Sequence, residues 1–213
     1  MRIAVLGTGT VGTTLASGFE RAGHEVLLGT RDPASGAGAE WAAQHRGGAA
    51  TSADAAAASD VVVLALPGTA VLDVVSGLGA AADGKVVVDV TNPLDFSHGF
   101  PPRLFTTAES LAEQVQAALP AARVVKTLNT VNASVMVDPA RIAGEHTMPL
   151  CGDDDGAKAD VRRLLRDLGW SDGALLDLGP LAAARATEAY VLFWVALMQA
   201  TGTDDVSVRV VTA

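Results

Sequence analysis

The sequence predicts an α/β fold: a doubly wound, mostly parallel sheet followed by a small α/β extension. Three observations predict it. Short, nearly uniform apolar runs recur at 3–6, 24–29, 61–66, 86–90 and 124–128. Such runs suit parallel strands buried on both faces, which lack the alternation of half-exposed strands. Segments of helical length separate them, so strands and helices alternate. The first run then meets Gly7, Gly9 and Gly12 in G-x-G-x-x-G spacing, with a helical pattern over 11–21.

Each element has a local reason. Residues 3–6 form a buried strand that ends at Gly7. There the chain must turn sharply into a helix. Residues 24–29 form the second strand, ended by Thr30-Arg31-Asp32-Pro33. The loop 34–38 leads to a helix over 39–45. Residues 49–51 are a short third strand, and 52–58 an alanine helix. The strand 61–66 stops at Pro67-Gly68, and Thr69 is the expected N-cap of a helix reaching Leu78. The strand 86–90 precedes Thr91-Asn92-Pro93.

A long loop over 94–107 follows, carrying Phe96, His98, Phe100 and Phe105. Loops of this length are usually functional or disordered. A helix over 109–119 leads to the sixth strand at 124–128. Asn129-Thr130-Val131-Asn132 then stands at that strand's carboxyl end, where open α/β sheets bind ligands. Beyond it, 148–151 reads as a strand, 156–168 as an amphipathic helix, 175–178 as a strand and 181–199 as a final helix. The expected organisation is a nucleotide-binding domain over 1–142 with a strand–helix extension over 143–213 packed on it. The final helix carries Tyr190, Phe193, Trp194, Leu197 and Met198 at 3–4 spacing. That face suits core packing, a ring-binding wall or the interface of a homodimer.

Composition narrows the functions. The chain has 213 residues and a formal net charge of −9, a poor match for nucleic acid, whose phosphates demand a basic surface. One cysteine, Cys151, precludes a disulfide framework within the chain and suits a reducing cytoplasm. The first apolar run is too short for a signal peptide. The late run 189–198 is about half a membrane span, so no membrane segment is expected.

The glycine motif follows a strand and opens a helix, the context that makes it a dinucleotide site. Gly7 permits the turn, Gly9 keeps side-chain atoms away from a pyrophosphate, and Gly12 lets helix and strand approach. Thr8, Thr10 and Val11 complete the phosphate loop, at the positive end of the helix dipole. About 20 residues beyond Gly12, an NAD site carries an acid for the ribose hydroxyls. Thr30 stands there instead. Arg31 offers a guanidinium fork for a 2′-phosphate. Asp32, just before Pro33, is expected to cap the turn. These residues favour NADP over NAD.

The chain resembles the NADPH:coenzyme F420 oxidoreductase family, whose reductase domain also occurs in metalloreductases. The resemblance rests on the glycine motif, Thr30-Arg31, Thr91-Asn92-Pro93 and Val125-Lys126-Thr127-Leu128-Asn129-Thr130. Its most specific parts are Cys151-Gly152-Asp153-Asp154 and Asp177-Leu178-Gly179-Pro180-Leu181 with Arg185. It implies a Rossmann fold with NADP(H) held by the glycine loop, Thr30, Arg31, Leu66, Pro67, Asn92 and Pro93. It also implies a flat acceptor, coenzyme F420, stacked near the nicotinamide between the sixth strand and the D-x-G-P-L turn. Family members that reduce the deazaflavin tend to carry histidine where Asn129 stands and serines where Ala182 and Ala184 stand.

Hydride transfer between two flat rings needs orientation more than acid–base groups. Asn129 and Thr130 are therefore candidates for orienting the acceptor, with Asn132 beside them. His98 reads as a surface or loop-anchoring residue rather than a proton donor, Lys126 and Cys151 as structural strand residues. Asp153-Asp154-Asp155 reads as a helix cap rather than a metal site, and Asp204-Asp205 as a solvated tail. The leading expectation is hydride transfer between NADPH and the deazaflavin. The alternatives are reduction of flavin, ferric chelate or a small substrate, and an NADP-binding sensor without turnover.

Overall fold

The computed structural model describes residues 1–106 and 108–213. In chain order its elements are β1 (Arg2–Leu6), α1 (Thr10–Arg21), β2 (Glu25–Thr30), α2 (Gly36–Gln44), β3 (Gly48–Thr51) and α3 (Ser52–Ala58). There follow β4 (Val61–Leu64), α4 (Gly68–Ser76), β5 (Val86–Asp89), β6 (Leu94–Asp95), β7 (Arg103–Leu104) and α5 (Leu111–Ala118). The last are β8 (Arg123–Thr127), α6 (Ala133–Met136), β9 (Met148–Gly152), α7 (Asp155–Asp167), β10 (Leu175–Asp177) and α8 (Ala184–Thr201).

Eight strands form one sheet in the order β10-β9-β8-β5-β4-β1-β2-β3. All neighbours are parallel except β8 and β9. The doubly wound architecture is therefore as the apolar runs predict. The strand order reverses at β1, between β2 and β4, which opens a crevice at the strands' carboxyl ends. The residues of β4 and the valines of β5 are buried, because helices cover both faces of the sheet. One apolar layer packs Leu15 and Phe19 of α1 with Val161 and Leu164 of α7. The other joins Val71 and Val75 of α4 with Leu111 and Val115 of α5.

Several local expectations are corrected. The helix after β4 begins at Gly68 with Pro67 at its cap, so Thr69 lies inside it. A Cβ on Gly68 would stand 2.2 Å from the carbonyl oxygen of Asn92, so close packing sets this helix start. The loop 94–107 contains a two-stranded ribbon, Leu94 opposite Leu104 and Asp95 opposite Arg103. Strands of two residues are too short to show a period. Thr107, the last residue of that predicted loop, lies outside the described residues.

The strands after residue 143 do not form a second sheet. β9 runs back along β8, and β10 extends the sheet beside it. The 3₁₀ turn and α8 together, Leu181–Thr201, are long and apolar enough to cross a membrane. That is longer than the half-span read from 189–198. The helix nevertheless carries Glu188, which is buried in the protein with partners from α5 and β8.

Candidate functional site

The glycine loop joins β1 to α1 and shows why each glycine is there. Gly7 has φ +122°, and a Cβ on it would stand 2.2 Å from the Ala65 carbonyl oxygen. A Cβ on Gly12 would stand 2.0 Å from the Gly7 carbonyl oxygen. Those two glycines serve the fold. A Cβ on Gly9 meets no described atom within 4 Å, so the fold itself permits a side chain there. Gly9 caps α1 without a side-chain bond, and the first turn of α1 holds no acid. This cradle fits an anionic ligand on the helix dipole.

The cleft above the loop has a volume of about 880 Å³. Gly9, Thr10 and Val11 form its floor, with Leu66, Pro67 and Asn92 along one side. Pro93 is buried behind Asn92, and its carbonyl accepts from the Phe105 N–H at 3.0 Å. Thr30 and Arg31 stand at the end of β2, on the other side of the switch point. A Cβ on Gly38 would lie 3.2 Å from Thr30 Cγ2 and 3.4 Å from Thr8 Cγ2, which places Thr8 beside Thr30. Arg31 is exposed. Asp32 accepts from the Ala34 N–H at 3.0 Å and from Ser35 Oγ at 2.6 Å. The Ser35 hydroxyl, with that N–H, holds its carboxyl below the usual range. Asp32 thus caps the turn, as predicted.

At the far end of the cleft Asn92 and Asn129 clasp one another. Asn92 Nδ2 donates to the Asn129 carbonyl at 2.9 Å, and Asn129 Nδ2 donates to Asn92 Oδ1 at 2.9 Å. Asn129 Nδ2 also donates to the Thr187 carbonyl on α8 at 3.0 Å. Two backbone carbonyls thereby fix both amide orientations. Asn129 Oδ1 is left buried without a hydrogen-bond partner among the described residues. The preceding residue, Leu128, has φ +64° and is buried. A leucine held in the left-handed region is strained, and such strain clusters at functional sites. Asn129 lines the cleft, whereas Thr130 lines a separate apolar groove of about 200 Å³ with Tyr190 and Leu178.

The remaining expectations are divided. Asn132 lines the cleft and caps α6 through the Val135 N–H. His98 is exposed and does not line the cleft. Asp154 caps α7, accepting from the Ala157 N–H, and the described residues hold no cluster suited to a metal ion. Cys151 is buried, and burial pushes its thiol up to about 12, consistent with a structural residue.

The D-x-G-P-L turn does not reach the cleft. Gly152 N–H donates to the Gly179 carbonyl, at the end of β9 that pairs with Val125. The turn therefore sits toward the opposite edge of the sheet, because β9 runs antiparallel to β8. Ala184 is buried in the core and Ala182 is exposed; neither lines the cleft. Asp205 is no solvated tail residue. It accepts from Asn132 Nδ2, Ser134 Oγ and Arg141, while Trp194 Nε1 donates to the Val206 carbonyl. The segment after α8 is thereby held against the cleft, with Trp194 and Asp204 as wall. Nothing in its local sequence signals those distant partners.

Comparison with known proteins bears on this cleft. The family model "NADP oxidoreductase coenzyme F420-dependent" matches residues 2–93. The F420-dependent NADP reductase of Methanocaldococcus jannaschii is 32% identical over 202 residues, covering 89% of this chain and 88% of that protein. The metalloreductase STEAP3 of Rattus norvegicus is 29% identical over 199 residues, 90% of this chain but 36% of that protein. The chain thus spans about a third of the rat protein's length. A crystal structure from Arthrobacter sp. FB24, described as a candidate F420-dependent NADP-reductase, is 44% identical with a TM-score of 0.94 and covers both chains completely. The chain belongs to the family of coenzyme F420-dependent NADP oxidoreductases.

Proposed function

We propose that this protein is an NADP-dependent oxidoreductase that transfers a hydride between NADPH and the deazaflavin coenzyme F420. The observation that carries the reading is the cleft itself. A glycine cradle and an amide clasp line it, and Arg31 stands exposed at the end of β2. NADPH, when bound, supplies the hydride.

The chain's residues then have separate tasks. Gly7 and Gly12 hold the loop in shape. Thr8, Gly9, Thr10 and Val11 take the pyrophosphate on backbone N–H groups and the helix dipole. Thr30 and Arg31 take the 2′-phosphate, Arg31 by a charge-assisted fork. Leu66, Pro67, Asn92 and Pro93 wall the ribose and nicotinamide. Asn129 orients the rings, and its unpartnered Oδ1 can accept one ring-borne N–H. Thr130 would take part only from the adjoining groove. Side chains need do little else, since orientation and exclusion of water supply most of the barrier lowering.

We further infer a homodimer through α8, supported by its apolar residues Leu192 and Phe193, which are 40% and 54% exposed. A reducing cytoplasm suits the single buried cysteine. The function is tested by steady-state oxidation of NADPH with coenzyme F420, followed by loss of NADPH absorbance. Turnover with F420 supports the reading; tight NADPH binding without turnover on F420, flavin or ferric chelate overturns it.

A further inference from the structure

Beneath the amide clasp lies a buried charge node that meets the cleft through Thr91. Lys126 is wholly buried on β8. Its ammonium donates to Asp89 Oδ2 at 3.0 Å and to the Thr91 carbonyl, and forms an ion pair with Glu188 Oε1 at 3.0 Å. Asp89 Oδ1 accepts from the Thr91 N–H at 2.9 Å and the Thr91 hydroxyl at 2.7 Å. Glu188 accepts from the N–H groups of Leu111 and Ala112, the first two of α5, at 2.8 and 3.1 Å. One ammonium faces two carboxylates, and the second negative charge rests on the positive end of α5.

Such a node is costly to build unless every group is satisfied, as here. Burial of apolar residues would serve stability as well. What the node adds is registration. Thr91 adjoins Asn92, Glu188 adjoins Thr187, and Lys126 lies three residues before Asn129 on the same strand end. The node and the clasp are thus two rungs between the same three parts: the β5 turn, the β8 end and α8.

Resting on the proposed function, we propose that Lys126 is a positioning residue. Through Asp89, Thr91 and Glu188 it sets the Asn92–Asn129 clasp where the nicotinamide end of the cofactor binds, and has no part in holding the adenosine end.

Lys126→Met alone would strand two buried carboxylates and report stability rather than position. The informative variant is Asp89→Asn/Lys126→Met. Asn at 89 can still accept from Thr91, Met fills the lysine stem's volume, and Glu188 keeps its bonds to α5. Affinities are measured by titration for NADPH and for adenosine 2′,5′-bisphosphate, which lacks the nicotinamide, with thermal unfolding as a check on folding. The expected result is a loss of about tenfold for NADPH, within the range for residues sharing one network, and less than about twofold for the bisphosphate. Adding Asn129→Ala should then cost nothing more than Asn129→Ala alone, since both act through one group. Equal weakening of both ligands would mean a general structural role and overturn the proposal. So would an unchanged NADPH affinity, or losses that multiply with Asn129→Ala. Failure of the proposed function is read separately, from whether the unmodified protein reduces F420.

Discussion

Gly12 and Gly7 are packed so closely that a Cβ on Gly12 would stand 2.0 Å from the Gly7 carbonyl oxygen. Gly9, between them, has free space around it. The motif's three glycines therefore answer to different demands, and substitutions separate them. Gly9→Val should leave the circular dichroism spectrum unchanged and abolish binding of either nucleotide, because the added side chain meets only the pyrophosphate. Gly12→Val should lose the fold. Retained NADPH affinity in Gly9→Val would show that the loop is not the phosphate site.

Arg31 is exposed at the end of β2, beside Thr30, and Asp32 is occupied by its own turn. Arg31→Ala should lower NADPH affinity by on the order of 1.5–3 kcal/mol, the range for bonds to charged groups. NADH, which lacks the 2′-phosphate, should be little affected. Fluorescence titration with both cofactors measures this, and equal losses would remove Arg31 from the 2′-phosphate site.

How much of this was legible depends on the range of the interactions. The buried strands, the glycine loop, the capping turn at Asp32 and the cap at Asp154 are local patterns, and the sequence displays them. Lys126 reads as structural because its neighbours are strand residues; its partners, 37 and 62 positions away at Asp89 and Glu188, are set by topology. Asp205 looked solvated for the same reason, its partners Asn132, Ser134 and Arg141 lying far back in the chain. The reversal of β9 is the most consequential case. An apolar run carries no strand direction, and that direction takes Ala182 and Ala184 away from the cleft.

Glu113 supplies a pH dependence. Its carboxylate completes the capping box with Ser110 and accepts from Arg185 at 2.6 and 2.8 Å. The Arg185 guanidinium, with Ser110, lowers its pKa from 4.5 to about 2. A depressed carboxylate stabilises the fold above its unfolded pKa, and that contribution fades as pH falls from about 4.5 towards about 2. Glu113→Gln should therefore be less thermally stable than the unmodified protein near neutral pH. The gap should narrow through that acidic window. A gap independent of pH would dissociate Glu113 from acid stability.

The face of α8 makes its own prediction. Leu192 and Phe193 are large, apolar and exposed, which is the mark of an interface when they adjoin. Light scattering at micromolar concentration should report a dimer, and Phe193→Glu should shift it to monomer without unfolding. A monomeric mass for the unmodified protein would refute the interface.

The last prediction concerns the acceptor. The family resemblance suggested polar differences at Asn129, Ala182 and Ala184. Neither alanine lines the cleft, so Asn129 is the one of the three that does. Asn129 spends its Nδ2 on Asn92 and Thr187, and its Oδ1 has no partner among the described residues. Its one spare group is thus a buried acceptor, where a histidine could carry a donor. Each hydrogen bond to the acceptor ring is worth roughly 0.5–1.5 kcal/mol net, or about two- to tenfold in affinity. Asn129→His should raise turnover with F420 and leave turnover with flavin unchanged, provided the ring keeps one of the two bonds that now fix the amide. Asn129→Ala, which keeps neither, should lower turnover with both. Steady-state oxidation of NADPH with each acceptor distinguishes these outcomes. If Asn129→His changes both acceptors equally, Asn129 acts on the nicotinamide alone and not on the acceptor as well. If the unmodified protein reduces neither at saturating NADPH, hydride transfer to a flat ring is not its reaction.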